Sequence, residues 1–346
     1  MRLGIIGLPG AGKTSIFNAL TGSDLPVGNH LSHVKIHTGV ANVPDPQLES
    51  LIALYEPRKT TYAQITFGDV AGMGEDGSLS GDLVNQLAQW DGFVAVLRAF
   101  EDPLTAAPPT PEQDVQVMEA EFLLNDMLRI EAHLERLADD RQIGARDRAE
   151  LERELNLFQR LTKALQAERP LRGQTLEDAE RELLQGYGLI SSKPLLLVQN
   201  LEEGKDPRPL ASDLPSFALY GKLEAELAQL PADEAVGFRK EFEIAEAGNE
   251  GLMSACLSLL GQIRFYTVSA SEVRAWLLPK GGTVLQAAGT IHSDMARGFI
   301  RAEVIQWDDL IQLGGLSEAR AAGKLRVEGK EYAPIDGEVI HIRFNV

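Results

Sequence analysis

The chain has few of the features that are typical of secreted proteins, of proteins with a structural zinc site or of membrane proteins. Its 346 residues include one cysteine, Cys256, which excludes an internal disulfide and any zinc site built on a cysteine cluster. No apolar run reaches the roughly 18 residues that a membrane-spanning helix needs. The N-terminus runs directly into an apolar strand pattern and lacks the layout of a signal peptide. We therefore expect a cytoplasmic protein with no membrane partner.

Positive charge is also scarce. Lys and Arg number 33 against 51 Asp and Glu, so the net charge is −18. This balance excludes a protein that coats nucleic acid by charge alone. The negative charge is not spread evenly along the chain. Residues 264–346 hold ten basic and ten acidic side chains and are neutral, so the rest of the chain carries the whole net charge. If any part of the chain contacts RNA, we expect it to be this C-terminal segment.

Short apolar runs predict the strands of an α/β sheet. Such runs, typical of buried parallel strands, occur at residues 3–6, 63–67, 93–97 and 194–198. Ser15–Leu20 reads as a helix that follows the first strand. The polar stretch Gly22–His37 has weak periodicity and predicts a mobile loop.

The middle of the chain has a helical pattern. Between about residues 114 and 169, apolar side chains recur every three or four positions, with a break at Gly144. This predicts an antiparallel helical hairpin inserted between strands of the sheet. Cys256 lies in another apolar, helix-like run, where we expect a buried thiol. The last run, Glu338–Phe344, alternates like an exposed edge strand.

A phosphate-binding motif lies between the first strand and the first helix. Residues 7–14 fit G-x-x-x-x-G-K-[ST], a loop whose backbone N–H groups surround phosphates next to a helix N-terminus. We expect Lys13 to reach the β- and γ-phosphates as a catalytic group and Thr14 to bind Mg²⁺. The predicted nucleotide-binding residues here are Gly7, Leu8, Pro9, Gly10, Ala11, Gly12, Lys13, Thr14 and Ser15.

Two further motifs follow later strands. Asp69 ends an apolar stretch and begins D-x-x-G, so it is a candidate for the Mg²⁺ shell, while the N–H of Gly72 is a candidate contact for a γ-phosphate. Asn200-Leu201-Glu202-Glu203 occupies the place where nucleotide switches carry the guanine-reading N-K-x-D, with Leu201 in place of its lysine and Glu203 in place of its aspartate. This order of motifs indicates a P-loop ATPase or GTPase switch.

The motifs resemble those of the YchF/Obg-like ATPase family, within the translation-factor-related GTPases. The similarity includes the phosphate loop, Asp69–Gly72 and the N-x-x-E at Asn200–Glu203. It is most specific near the C-terminus, in the stretches Glu272–Trp276, Gln286–His292, Gly298–Val304 and Arg343–Val346.

The resemblance implies a fold and a function. The fold is a P-loop G domain (1–105 and 190–262) with an inserted helical coiled-coil arm (106–189) and a C-terminal β-grasp-like TGS domain (263–346). The function is Mg²⁺-dependent hydrolysis of ATP in preference to GTP, since N-x-x-E replaces the guanine-reading motif. Family members associate with ribosomes, so a ribosome, a ribosomal subunit or another RNA–protein assembly is the expected partner, through the TGS domain and the arm. We expect a monomer. Met73, an apolar residue after Gly72, implies slow turnover.

The chain departs from the family pattern at several positions. Gly10 stands where the family usually has an Asn tied to potassium use, which puts potassium activation in doubt. His33, beside Ser32, stands where the family's switch I presents a Thr. The stretch Glu101–Thr110 lacks the family's His, and Tyr220-Gly221 replaces the Ser-Ala that backs the base. We expect Asn200, Leu201, Glu203, Tyr220 and Gly221 to border the base.

Alternatives remain open at this point. The protein is either an ATPase, a nucleotide-sensing module with negligible hydrolysis, a GTP-preferring GTPase or a phosphotransferase to a small acceptor. His30, His33 and His37 either include a general base or phosphate contact, or belong to a polar mobile loop.

Overall fold

A computed structural model describes residues 1–27, 36–70, 73–74, 77–102, 107–143, 146–241 and 248–345. Its strands are β1 (Arg2–Ile6), β2 (Ile36–Asn42), β3 (Lys59–Thr61), β4 (Gln64–Val70), β5 (Gly92–Ala99), β6 (Leu195–Leu201), β7 (Ser216–Leu219), β8 (Gln262–Val268), β9 (Glu272–Pro279), β10 (Phe299–Gln306), β11 (Arg326–Glu328) and β12 (Glu338–Phe344). Its helices are α1 (Lys13–Thr21), α2 (Pro46–Tyr55), α3 (Gly81–Leu87), α4 (Pro111–Ile143), α5 (Arg148–Gln166), α6 (Asp178–Leu184), α7 (Gly221–Leu227), α8 (Ala232–Glu241), α9 (Gly248–Leu259), α10 (Val284–Ile291), α11 (Ser293–Arg297), α12 (Trp307–Leu313) and α13 (Leu316–Ala321). These elements form two compact units, residues 1–39 with 66–249 and residues 40–65 with those from 250 onward. Among the described residues, no helix combines the length and apolar character that crossing a membrane requires.

Apolar strands build the central sheet of the first unit, whose strand order is β2-β4-β1-β5-β6-β7. Parallel pairing joins β1 to β4 and β5, and β6 to β5 and β7. All seven residues of β6 are buried, and so are six of the eight in β5, as expected when both faces of a sheet are covered. The four strands predicted in this region coincide with or overlap β1, β4, β5 and β6, and the predicted first helix lies inside α1.

Two long helices lie between β5 and β6 in the chain. α4 has 33 residues and α5 has 19, and they pack through buried side chains that include Ile130 and Phe158. Asp147 Oδ1 accepts hydrogen bonds from the first free N–H groups of α5 and so caps its start. The predicted helical insertion is confirmed, while its expected break at Gly144 lies outside the described residues.

The second unit contains another sheet, in the order β11-β10-β12-β8-β9-β3. α10 covers one face, where Val284 and Ala287 pack in a core with Val304 and Ile340. Residues 40–65 belong to this unit, although the sequence assigned all of 1–105 to the first domain. The physical reason is that β3 pairs in parallel with β9 and α2 packs on β8 and β9. The boundaries of the four segments stay predictions, whereas the α/β class with an inserted arm and a separate C-terminal domain is confirmed.

Two expectations about the chain were wrong. The run Glu338–Phe344 is not an edge strand, because β12 lies between β10 and β8. Polar and apolar residues alternate in this strand because one face of the sheet packs in the core and the other is exposed near Arg343. The pattern therefore indicates which face is exposed and not whether the strand lies at the edge of the sheet. The sequence predicts a loop at His37, but this residue lies in β2. Half of that predicted loop, residues 28–35, is outside the described residues.

Candidate functional site

The phosphate loop follows the buried strand β1 and ends where α1 begins at Lys13. Gly10 and Gly12 have φ values of 76° and 88°, a left-handed conformation that favours glycine. A Cβ at Gly12 would lie 2.1 Å from Asn200 Nδ2, so a side chain does not fit there. Gly12 caps α1 without a side-chain hydrogen bond, which leaves the first N–H groups of the helix without a side-chain acceptor. This end of the helix is suited to an anion.

Lys13 folds back over the loop. Its Nζ donates hydrogen bonds to the carbonyl oxygens of Gly7 at 3.1 Å and Leu8 at 3.0 Å. Burial lowers the pKa of this amine, and the charge of Asp69 acts in the opposite direction. The Lys13 ammonium group therefore lies beside the loop carbonyls, inside the loop where the motif predicts that phosphates bind.

Thr14 and Asp69 meet at the start of α1 and the end of β4. The Thr14 hydroxyl donates to Asp69 Oδ2 at 2.7 Å. Asp69 is buried, and its other oxygen, Oδ1, has no hydrogen-bond partner among the described residues. A buried carboxylate oxygen without a donor is costly unless a cation or water satisfies it, so this pair fits the oxygen ligands that Mg²⁺ prefers.

Asn200 ties the phosphate loop to the later chain. At the end of β6, its Nδ2 donates to the Ala11 carbonyl at 3.0 Å, and its Oδ1 accepts from the Gly221 N–H at 3.0 Å. A Cβ at Gly221 would lie 2.5 Å from that oxygen, so the close approach needs a glycine. Asn200 thus brings two predicted site segments together around one buried amide.

The other predicted base-side residues have different surroundings. Leu201 is buried at the end of β6, whereas Glu203 is exposed in the following turn. Tyr220 is half-buried and its hydroxyl donates to the Lys205 carbonyl at 3.2 Å. In the phosphate loop itself, Pro9 and Gly10 are exposed, Leu8 is half-buried, and Ala11 and Ser15 are buried. Gly72, His30, Ser32 and His33 lie outside the described residues.

The chain after Asp69 contacts α4, a relationship that the motifs did not predict. Met73 is buried in a core that includes Met118 and Phe122 of α4. A Cβ at Gly77 would lie 2.2 Å from Val117 Cγ1, and the Leu79 N–H donates to Glu121 Oε1 at 2.8 Å. No sequence signal marks this contact, because a glutamate on a helix usually lies on a solvated face.

Comparisons with known proteins agree with these features. The model YchF-GTPase_C, described as "Protein of unknown function (DUF933)", matches residues 262–345, and a model described as "50S ribosome-binding GTPase" matches residues 2–123. The chain is 34% identical to the "Ribosome-binding ATPase YchF" of Bacillus subtilis (strain 168), with all of both chains covered. It is 32% identical to the protein of the same name from Pasteurella multocida (strain Pm70), over all of this chain and 99% of that one.

A solved structure gives the same fold. The YchF GTPase of Schizosaccharomyces pombe superposes with a TM-score of 0.84 at 24% identity, covering 99% of this chain and 97% of that one. The fold and the full-length similarity together show that the chain belongs to the YchF family.

Proposed function

We propose that the protein is a nucleotide-dependent switch that binds ATP with Mg²⁺, hydrolyses it slowly and couples its nucleotide state to binding of a ribosome. The observation that carries the proposal is the phosphate loop: left-handed glycines, an α1 start without a side-chain cap, and Lys13 against the loop carbonyls. These features supply N–H donors and a cation for a triphosphate.

Lys13 has a defined part in this function. Its present acceptors are two neutral carbonyls, and phosphate oxygens are stronger acceptors for a cation. Triphosphate binding would therefore draw its Nζ from the loop carbonyls to the β- and γ-oxygens. There it stabilises the charge that develops during phosphoryl transfer.

Thr14 and Asp69 would hold the metal. The unpartnered Asp69 Oδ1 and the Thr14 hydroxyl are the oxygen atoms available at this edge of the loop. Mg²⁺ bound there neutralises phosphate charge and orients the phosphates. The Thr14 hydroxyl donates to Asp69 Oδ2 and keeps its lone pairs, so it could bind the metal while it donates to the carboxylate.

The segment at the end of β6 supports ATP over GTP. A guanine-reading switch places an aspartate at the fourth position of N-K-x-D, whereas this chain has the longer Glu203 there, and it has Leu201 in place of the lysine. Asn200 keeps the structural part of the motif, since it bonds the phosphate loop and Gly221. The half-buried ring of Tyr220 offers a face for a purine.

Slow hydrolysis follows from Met73. Ras-like switches orient the attacking water with a glutamine after the D-x-x-G glycine. Here that position is an apolar side chain packed into the core beside α4. It has no polar atom that could position a water, so turnover would depend on the loop and the metal.

The ribosome is the partner that the relatives' names suggest, since the two curated relatives are called ribosome-binding ATPases. A ribosomal partner would also place the protein in the cytoplasm. The link between the nucleotide and that partner would run through the contacts of Met73, Gly77 and Leu79 with α4, because these residues lie within ten positions of Asp69 in the chain. The γ-phosphate would bias this segment and, with it, the helical arm.

The first test separates binding from hydrolysis. Calorimetry with Mg·ATP and Mg·GTP should give tighter binding of ATP, and Lys13→Ala should abolish both signals. Lys205→Ala, an exposed lysine in the turn after β6, is the matched control and should bind like wild type. GTP binding tighter by tenfold or more would instead support the GTPase alternative.

The second test measures turnover. Single-turnover hydrolysis of ATP, with and without purified ribosomes, should exceed that of Lys13→Ala in at least one condition. If wild type cleaves ATP no faster than Lys13→Ala in either condition, the protein is a nucleotide-sensing module and not an enzyme. A phosphorylated product other than free phosphate would support a phosphotransferase.

A further inference from the structure

The long helix α4 has apolar side chains on two sides, and only one of these sides is buried. Phe122 packs in a core shared with β5, and Ile130 and Leu137 pack in a core shared with α5. Leu124 and Leu128 lie on the opposite side of the helix and are 54% and 57% exposed. The outer side of an amphipathic helix normally carries polar residues. Two exposed leucines one turn apart are typical of a surface that another molecule covers.

The two leucines belong to one continuous face of α4. Side chains that are three or four positions apart line up along a helix. Positions 120, 124, 128, 131, 135 and 139 have this spacing and lie within an arc of about 100°. We call them the outer face, and all six residues are exposed: Ala120, Leu124, Leu128, Glu131, Glu135 and Asp139. The outer face extends for about 28 Å along the helix axis.

The two halves of the outer face differ in chemistry. The first half, from Ala120 to Leu128, is apolar, and the second half carries the carboxylates of Glu131, Glu135 and Asp139. None of these three carboxylates forms an ion pair with a described residue. The outer face therefore presents an apolar surface followed by three negative charges that no described cation balances.

This order of apolar and acidic groups argues against several classes of occupant. RNA and anionic lipid headgroups carry negative charge, which the acidic half repels. A second copy of this chain is also unsuitable. If two outer faces pair in parallel, carboxylates meet carboxylates, and if they pair antiparallel, leucines meet carboxylates that become desolvated. A complementary partner instead presents apolar side chains followed by lysines or arginines.

We propose that the outer face of α4 binds an amphipathic helix of another protein, with apolar side chains over Leu124 and Leu128 and basic side chains over the three carboxylates. A helix is the complementary element because its side chains also recur every three or four residues and pack between those of α4. A helix of about five turns matches the length of the outer face. Burial of the leucines supplies affinity, and the carboxylates select basic partners.

The probes are fluorescent helical peptides of about 20 residues, a length that matches the outer face. Leucines occupy one side of the helix in one half of the peptide, lysines occupy the same side in the other half, and alanine and glutamine fill the rest. Two such peptides have the leucines first or last, which tests both directions along α4. A scrambled peptide of the same composition keeps the charge and loses the pattern. With full-length protein, at least one patterned peptide should bind about tenfold more tightly than the scrambled one, because it can bury its leucines.

The central variant is Leu128→Gln, which removes an apolar side chain without adding charge. Because Leu128 is exposed, the fold should be retained, which circular dichroism and thermal melting would verify. Binding of the patterned peptide should weaken about tenfold, the loss expected when one leucine is no longer buried. Ile143→Gln is the matched control, since Ile143 is 74% exposed at the last position of α4 and outside the outer face. This control should stay within about twofold of wild type, as expected for an isolated exposed apolar residue.

A second variant, Glu135→Lys, tests the acidic half. It should weaken binding of the patterned peptide by about threefold or more and reduce the dependence of the affinity on salt. Glu182→Lys makes the same change at an exposed residue of α6, a helix joined to α5 by the Arg160–Glu180 ion pair. This control should bind the peptide like wild type.

The remaining outcomes overturn the proposal. Equal binding of the scrambled peptide would mean that charge alone attracts it. No peptide binding by wild type, or unchanged binding by Leu128→Gln, would remove the outer face as a docking site. Self-association in the ultracentrifuge that Leu128→Gln abolishes would assign the face to a second copy of the chain. Binding of single-stranded RNA or of phosphatidylserine vesicles that Leu128→Gln abolishes would assign it to those ligands instead.

Discussion

The backbone N–H of Leu79 donates a hydrogen bond of 2.8 Å to Glu121 Oε1 on α4. The same carboxylate oxygen accepts from Asn125 Nδ2 at 3.0 Å, which fixes it on the helix surface. One turn earlier, Val117 packs where a side chain at Gly77 would have to lie. The chain after the candidate γ-phosphate contact is therefore attached to the first part of the arm by this hydrogen bond, by the close approach of Gly77 to Val117, and by the packing of Met73 against α4.

Glu121→Ala should uncouple that segment from the arm. We expect ATP affinity within about twofold of wild type, since the carboxylate bonds Leu79 and Asn125 and no residue of the phosphate loop, and a loss of about 1 kcal/mol in the free energy of unfolding. Hydrogen exchange along α4 should respond to ATP in wild type and lose that response in the variant. Glu131→Ala, an exposed glutamate on the same helix, should keep it. An unchanged response in Glu121→Ala would rule out this contact as the link.

Asn200→Ala should affect stability and binding together. Removing the amide leaves the buried carbonyl of Ala11 and the N–H of Gly221 without their partner, at a cost of about 1–3 kcal/mol by urea denaturation. ATP affinity should fall as well, because the loop loses its tie to the base-side segment. Asn200→Asp keeps the acceptor for Gly221 and removes the donor to Ala11. If Asn200→Asp matches wild type in both stability and ATP affinity, the hydrogen bond from Asn200 to the Ala11 carbonyl contributes to neither.

Asp69→Asn should remove the metal dependence of nucleotide binding. The amide oxygen still accepts from Thr14, so the fold is retained, while the charge that attracts the metal is lost. Calorimetry should show that Mg²⁺ strengthens ATP binding to wild type and does little for the variant. Thr14→Ser, which keeps the hydroxyl, should behave like wild type. Equal Mg²⁺ enhancement in Asp69→Asn would place the metal elsewhere.

Cys256 should be chemically silent in the native state. The thiol is fully buried in α9, and burial raises its pKa to about 12, so the reactive thiolate is scarce. Iodoacetamide at pH 8 should label the protein only as it unfolds in urea, as mass spectrometry would show. Labelling of native protein at the rate of a free thiol would contradict the burial predicted from the apolar run.

Four of the six strands of the first sheet, β1, β4, β5 and β6, were predictable because their signals are local. The other two were missed: β2 overlaps the stretch predicted as a loop, and β7 was not predicted. A strand buried on both faces needs a continuous apolar run, as in β5 and β6, and an insertion with a 3.6-residue period can only be helical. The phosphate loop was equally visible, since left-handed backbone at Gly10 and Gly12 requires glycine. Each of these features is encoded by residues that are near one another in the chain.

The relationships that were not predictable depend on distant residues. Nothing near Glu121 indicates that its carboxylate accepts from Leu79, 42 positions earlier. The pairing of β3 with β9 brings residue 59 next to residue 272, and no pattern within either strand specifies it. The prediction that β12 is an edge strand was wrong for the same reason. Alternation of polar and apolar residues shows which face of a strand is exposed to solvent, but the strands on either side depend on pairing with distant parts of the chain.

The buried carboxylate of Glu154 gives a prediction about pH. Glu154 is 4% exposed between the long helices, where it accepts from Tyr187 at 2.7 Å and Arg146 at 2.8 Å and lies 2.8 Å from His133 Nε2. Burial alone would raise the pKa of this carboxyl, but the hydrogen bonds from Tyr187, His133 and Arg146 outweigh it and lower the pKa.

A pKa that is lower in the folded state than in the unfolded one adds stability above the unfolded value, about 4.3, and this stability is lost as pH falls through the folded pKa. Glu154→Gln should therefore lower the free energy of unfolding by about 1–3 kcal/mol at pH 7, and the gap to wild type should shrink as pH falls below about 4. Urea denaturation at pH 7, 5 and 3.5 measures it. Glu152→Gln, an exposed glutamate paired with Arg148 on the same helix, should change stability by less than about 0.5 kcal/mol at each pH. A gap for Glu154→Gln that stays constant across this range would show that ionisation of this carboxyl does not contribute to stability.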